Sequence, residues 1–182
     1  MPLQIQVNNQ HAQQVYQAGI SLNGRYRYDV GMGGYAVAHN LAHATALGTS
    51  GALTCLIIVV HKAPGHGALG HYAAHPDPGM IVQGVQDMVM RLGGPPIDRV
   101  VLAAGLIGGG RSEQLKYEIG VVGGVRALFP DVRVVWPAAP VHDLWGACYY
   151  LPLAEVVGLT NQYYGGFTGM GNPQDGIDVH NY

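Results

Sequence analysis

The chain has 182 residues, of which 11% are charged, 48% are hydrophobic and 28 are glycine, and its formal net charge is −2. An isoelectric point near 6.5 and scattered Lys and Arg give no electrostatic footprint for nucleic acid, and the apolar content excludes a disordered chain. This length predicts one domain, able to bury roughly 70% of its unfolded surface without a disulfide or metal staple.

The N-terminus alternates apolar and polar residues from Leu3 to Val7. That pattern predicts a short half-buried strand, and it lacks the basic and apolar regions of a signal peptide. No run of about eighteen apolar residues predicts a membrane span. Two cysteines, Cys55 and Cys148, do not make a disulfide framework, so a reducing, cytoplasmic setting is expected, with export by a dedicated machine as the alternative.

Residues 8–14 are amide-rich and predict nothing. Gly24–Val30 alternates again and reads as a strand, Gly31–Gly34 as a turn and Tyr35–His39 as a short strand. Leu41–Ala46 is expected as a short helix or loop, broken by Gly48–Gly51. Cys55–Val60 is a continuous apolar, β-branched run, as a strand buried on both faces requires. Pro64–Gly67 is a turn and Leu69–Ala74 the return strand. Such a hairpin carries Cys55 and His71 towards each other at the end away from its turn.

After Asp77-Pro78-Gly79, the residues Ile81, Val82, Val85, Met88, Val89 and Leu92 recur at helical spacing, and Gly93–Pro96 stops that helix. Arg99–Ile107 reads as a buried strand and Gly108–Gly110 as a flexible turn. A second helix is predicted with Ser112 as its N-cap and Glu113 in its first turn. Its apolar face is expected to carry Leu115, Ile119, Val122, Leu128 and Phe129, and Gly120, Gly123 and Gly124 weaken it. Val132–Trp136 and Trp145–Leu151 read as strands, the latter as the last of the core. Residues 161–182 have little periodicity and are expected to form an irregular tail after a domain spanning residues 1–160. Strands outnumber helices, which predicts an α/β single-domain sandwich of mostly antiparallel strands flanked by helices.

The usual fate of a free cysteine is a small buried hydrophobe, which is how Cys148, among aromatics, is read. Cys55 differs because small and hydroxyl residues crowd the turn before it. There the backbone N–H groups of Ser50, Gly51 and Thr54 could form an oxyanion hole, and the hydroxyls of Thr49 and Thr54 could fix an imidazole. His71 alone would be a structural histidine. Beside Cys55 it can take the thiol proton and return it to a leaving group. Other groupings are weaker. His39 and His43, with His61, His66, His71 and His75, are too loosely spaced for a zinc site, so no metal and no cofactor is expected. His142-Asp143 follows two prolines and reads as a solvated loop. Neither Gly31-x-Gly33-Gly34 nor Gly108–Gly110 has the context of a phosphate loop.

The chain carries Val30-Gly31-Met32-Gly33-Gly34-Tyr35-Ala36-Val37, then Thr49-Ser50-Gly51-Ala52-Leu53-Thr54-Cys55, then Ala68-Leu69-Gly70-His71 and Pro76-Asp77. In this order the motifs resemble the chemoreceptor glutamine deamidases, the CheD family, over roughly residues 26–157. Leu53-Thr54-Cys55 stands where that family has Gly-Ser-Cys, and the segment 161–182 has no counterpart. The resemblance implies that Cys55 attacks the side-chain carboxamide of a protein glutamine, that His71 shuttles the proton, and that Thr49 orients His71. The partner would be a protein presenting a glutamine side chain. Bacterial deamidase toxins use a similar Cys–His pair, so a stand-alone effector is a variant of this expectation. A catalytically silent binding module and another cysteine amidohydrolase or peptidase remain as alternatives.

Overall fold

Alternating and continuous apolar runs become two packed sheets in the structure, a computed structural model that describes residues 2–39, 43–52, 55–73, 77–104, 111–137, 145–167 and 176–182. One sheet has five strands in the order β1 (Gln4–Gln6), β10 (Val156–Thr160), β9 (Ala147–Leu151), β4 (Ala46–Ser50) and β2 (Arg27–Asp29). The other has six, in the order β11 (Ile177–Asn181), β3 (Gly34–Ala38), β6 (His66–Tyr72), β5 (Leu56–Ala63), β7 (Arg99–Ala104) and β8 (Arg133–Val135). Three helices cover their outer faces: α1 (Asn9–Ile20), α2 (Pro78–Arg91) and α3 (Arg111–Leu128). Pairings are parallel for β1/β10, β2/β4 and β7/β8 and antiparallel elsewhere. The α/β sandwich expected from the sequence is what forms.

Strand β5 shows why its sequence is apolar throughout. Leu56, Ile58 and Val60 pack under α2 and α3, while Ile57 and Val59 face the other sheet. The Pro64-Gly65 turn returns the chain with Gly65 at φ 74°, and the ladder pairs Leu56 with Tyr72 and Ile57 with His71. Helix α2 begins where Asp77 accepts a hydrogen bond from the Gly79 N–H at 2.9 Å, with Pro78 at the first helical position.

Helix α3 starts at Arg111, so Ser112 lies inside its first turn rather than capping it. Its buried face is only partly the one expected: Phe129 is buried and Val122 packs against the core, but the other three residues do not. Tyr117, Val121, Val125 and Phe129 are buried, at i+4 spacing, whereas Leu115, Ile119 and Leu128 are 55%, 64% and 45% exposed. Gly120 and Gly124 face α2. A Cβ on Gly124 would lie 2.5 Å from Val82, and one on Gly120 3.1 Å from Pro78. The glycines that weaken the helix in isolation let the two helices approach closely.

Residues 8–14, for which the sequence predicts nothing, lead into a helix: Asn8 caps α1 by accepting from the Gln10 N–H, and α1 buries only Ala12, Val15 and Gly19. So narrow a stripe of small residues leaves almost no hydrophobic signal. Gly24–Tyr26 is a 3₁₀ turn rather than the start of a strand. Residues 46–50 are strand rather than a break, since Gly48 sits where Asp29 and Phe167 would come within 2.9 Å of a Cβ. Trp145–Leu151 is not the last strand, and the described residues beyond 160, 161–167 and 176–182, pack on the fold. Phe167 is fully buried against α1 and the five-stranded sheet, and β11 pairs with β3 along the sheet edge. An edge strand buries one face, and here only Ile177 is buried while Asp178 and Val179 face solvent, so the sequence carries little pattern. No helix among the described residues is long and apolar enough to cross a membrane.

The glycine packing gives a paired prediction. Gly123→Ala meets open space and should stabilise the protein by about 0.5–1 kcal/mol through helix propensity. Gly124→Ala, of the same propensity gain, should instead destabilise by roughly 1–3 kcal/mol as Val82 is displaced. Thermal unfolding of the two variants checks this; equal shifts would contradict the close approach.

Candidate active site

Three elements from two sheets meet at the end of the hairpin away from the Pro64-Gly65 turn. His71 is near the end of β6, and it is buried. Cys55 immediately precedes β5, two residues back from Ile57, the residue paired with His71. It belongs to the inter-sheet cluster with Ile57 and Trp145, and its residue retains 6% exposure. Thr49 comes from the opposite sheet, on β4, paired across to Cys148 on β9.

The Thr49 hydroxyl sits 2.8 Å from the Val30 carbonyl oxygen and 2.8 Å from His71 Nδ1. A carbonyl can only accept, so the single hydroxyl proton goes to Val30. The hydroxyl oxygen must therefore accept from His71, which places that ring's proton on Nδ1. Nε2 is left with its lone pair, buried and without a hydrogen-bond partner among the described residues. Burial lowers the His71 pKa below its ordinary 6.5, because a charged ring is disfavoured away from water. The resting ring is thus neutral at pH 7, with a free acceptor nitrogen on the inter-sheet side of β6.

Ser50 is the exposed last residue of β4 and Gly51 follows it, in the left-handed region at φ 71° with nothing within 4 Å of a Cβ position. At the turn expected before Cys55, the Ala52 N–H is bonded to Gly146 at 3.4 Å and the Cys55 N–H to Ala52 at 3.1 Å. Thr54, the remaining residue expected there, lies outside the described residues, as do His75, Gly108–Gly110 and His142-Asp143. Thr49 itself is a strand residue rather than part of the turn. The Val30 carbonyl was not singled out from the sequence, although it opens the Val30–Val37 motif; a backbone oxygen leaves no mark of its own in residue type.

Other reactive side chains have separate fates. Cys148 is fully buried and burial pushes its thiol up, as a core cysteine requires. His61, placed in the loose histidine set, is buried between Tyr150 and Glu155, at 2.6 and 2.9 Å. Burial keeps the Tyr150 hydroxyl protonated, so it donates to His61 Nδ1 while Nε2–H donates to Glu155. That chain ties β5 to β9 and to the turn before β10, where Glu155 is held at φ 53°. His39 pairs with exposed Asp178 at 2.8 Å, and His43 stacks on Tyr26. Among the described residues no group of three or more His, Cys, Asp or Glu is placed to hold a metal ion. An apolar pocket of about 320 Å³ lies near the other end of β4, lined by Leu22, Thr45, Leu151 and Leu153 among others. It contains none of Cys55, His71 and Thr49. No protein-family model matches the chain, and no curated protein sequence matches it.

The lowered His71 pKa has two measurable consequences. The ring's NMR titration midpoint should fall below 6.5; a midpoint at or above that value would contradict its burial. As pH falls below about 6.5 the unfolded chain takes up a proton here before the folded chain does, so stability is lost on acidification through the folded midpoint. His71→Gln, which cannot titrate, should show a shallower loss of thermal stability between pH 7 and pH 5 than the wild-type chain.

Proposed function

We propose that the protein is a cysteine hydrolase that converts protein glutamine side chains to glutamate and releases ammonia. The observation that supports this most is the orphan Nε2 of His71. Thr49 and Val30 hold the ring in the tautomer that leaves Nε2 unprotonated, and Cys55 directly precedes β5, the strand that pairs with the one carrying His71. The ordered motifs around Val30, Thr49, Cys55 and His71, which resemble the CheD family, support the choice of carboxamide as substrate.

In the proposed reaction His71 Nε2 takes the Cys55 thiol proton as sulfur bonds to the carboxamide carbon. The ring, protonated on both nitrogens, is stabilised by Thr49, whose oxygen accepts from Nδ1–H. It then gives the Nε2 proton to the amide nitrogen, the C–N bond breaks and ammonia leaves. Water, deprotonated by the same nitrogen, attacks the thioester; the C–S bond breaks, Nε2 returns the proton to the leaving sulfur, glutamate is released and the free thiol is restored. A neutral resting ring fits a base that acts during attack rather than a standing thiolate–imidazolium pair. The proposed partner is a protein with an accessible glutamine, and the proposed setting is the cytoplasm.

Ammonia release from a glutamine-bearing protein such as casein tests the proposal. Cys55→Ala should abolish it and His71→Ala should lower it by about 10²–10⁴-fold. Thr49→Val, which removes both hydrogen bonds of the hydroxyl while keeping the shape, should lower it about tenfold or more. Full activity in the His71 variant would refute the assigned roles. Alkylation of Cys55 by iodoacetamide at pH 7 no faster than that of free cysteine would favour a silent binding module instead.

A further inference from the structure

Met32 is 71% exposed, the most exposed large hydrophobic side chain among the described residues. It stands between Gly31 and Gly33, both of which have open space where a Cβ would be. Yet the turn that carries it is fixed on every side. Val30 N–H bonds to Gly48 at 2.7 Å, and the Val30 carbonyl accepts from Thr49. Gly33 N–H bonds to the His71 carbonyl at 2.8 Å, Gly34 N–H to Gly31 at 3.1 Å, and the Gly33 carbonyl accepts from Tyr182 N–H at 3.0 Å. The turn is therefore tied directly to both Thr49 and His71, and it holds a long apolar side chain in water on a rigid base.

The chain segments adjoining the Thr49–His71 pair (residues 30–34, 50–52 and 72–73) contain no charged residue. Their exposed members other than Met32 are Gly31, Ser50, Gly51 and Ala73. Among the described residues of these segments, Met32 is the exposed long apolar side chain, set among small residues. Methionine is unbranched and polarisable, and it adapts to apolar surfaces of varied shape. A solvent-exposed apolar anchor on a fixed backbone is what a binding contact needs, since little order remains to be imposed when the partner arrives.

We propose that Met32 is a specificity-determining contact that seats an uncharged, apolar part of the substrate beside the target carboxamide. The substrate would then be a glutamine flanked by apolar residues on a protein surface rather than one beside a charged docking motif. This inference rests on the Cys55–His71 amidohydrolase reading, and its test separates the two.

The test compares alkylation of Cys55 by N-benzyl iodoacetamide and by iodoacetamide, followed by mass spectrometry of the Cys55 peptide. The wild-type chain should prefer the benzyl reagent by roughly fivefold, the scale of one or two buried apolar groups. Met32→Ala should bring the ratio of rates close to that of free cysteine. Met32→Leu should keep most of the preference, and so should Met90→Ala, a change at another exposed methionine (62%) on α2. A wild-type chain without preference, or a Met32→Ala chain that retains it, would overturn the role of Met32 and leave the Cys–His chemistry standing. A Cys55 that reacts with neither reagent would overturn both.

Discussion

One hydroxyl group sets the state of the site. Thr49 has a single proton to give, and the Val30 carbonyl takes it. Everything the imidazole can do follows from that commitment, because the ring must then donate through Nδ1 and keep Nε2 free. An alanine or valine at position 49 would leave the tautomer to chance and the buried Nδ1 unbonded. A serine could form the same bonds but, lacking the methyl, would be less firmly held in one rotamer.

The fold is what makes that geometry possible. Thr49 belongs to the five-stranded sheet and His71 to the six-stranded one, while Val30 sits on the connection that passes from β2 to β3. The bond between Thr49 and His71 therefore exists only while the two sheets are packed face to face. The apolar residues between them, Leu47, Ile57, Val59, Leu69 and Tyr150 among others, are a condition of the chemistry as well as of stability. At the far end of β5 the His61–Tyr150–Glu155 chain spans the same gap with every ring nitrogen bonded. The contrast is informative. One buried histidine is fully satisfied and acts as a tie, and the other is left with one nitrogen open.

Much of this was legible in the residues themselves. The β5–β6 hairpin, α2, the buried strand from Arg99 and the sandwich class followed from unbroken apolar runs and a clean 3.6-residue period. The nearness of Thr49 to His71 came from the motif order, since their strands lie in different sheets and no local pattern joins them. What stayed hidden had weak patterns for physical reasons. Helix α1 buries one valine, one alanine and one glycine, and β11 is an edge strand with one buried apolar residue. The face of α3 was partly misread because the residues that fit an apolar stripe, Leu115 and Ile119, are those turned to solvent, while Gly120 and Gly124 mark the side against α2. A glycine's absent side chain signals close packing only once the neighbour is known. The Val30 carbonyl, which decides the tautomer, could be found only from coordinates.

The most direct measurement is ¹⁵N NMR of the His71 imidazole at neutral pH. The account predicts a protonated, pyrrole-like Nδ1 and an unprotonated, pyridine-like Nε2, with the pattern lost or mixed in Thr49→Val. A ring protonated on Nε2, or on both nitrogens, would contradict it, because no lone pair would then be free to take a proton from the Cys55 thiol.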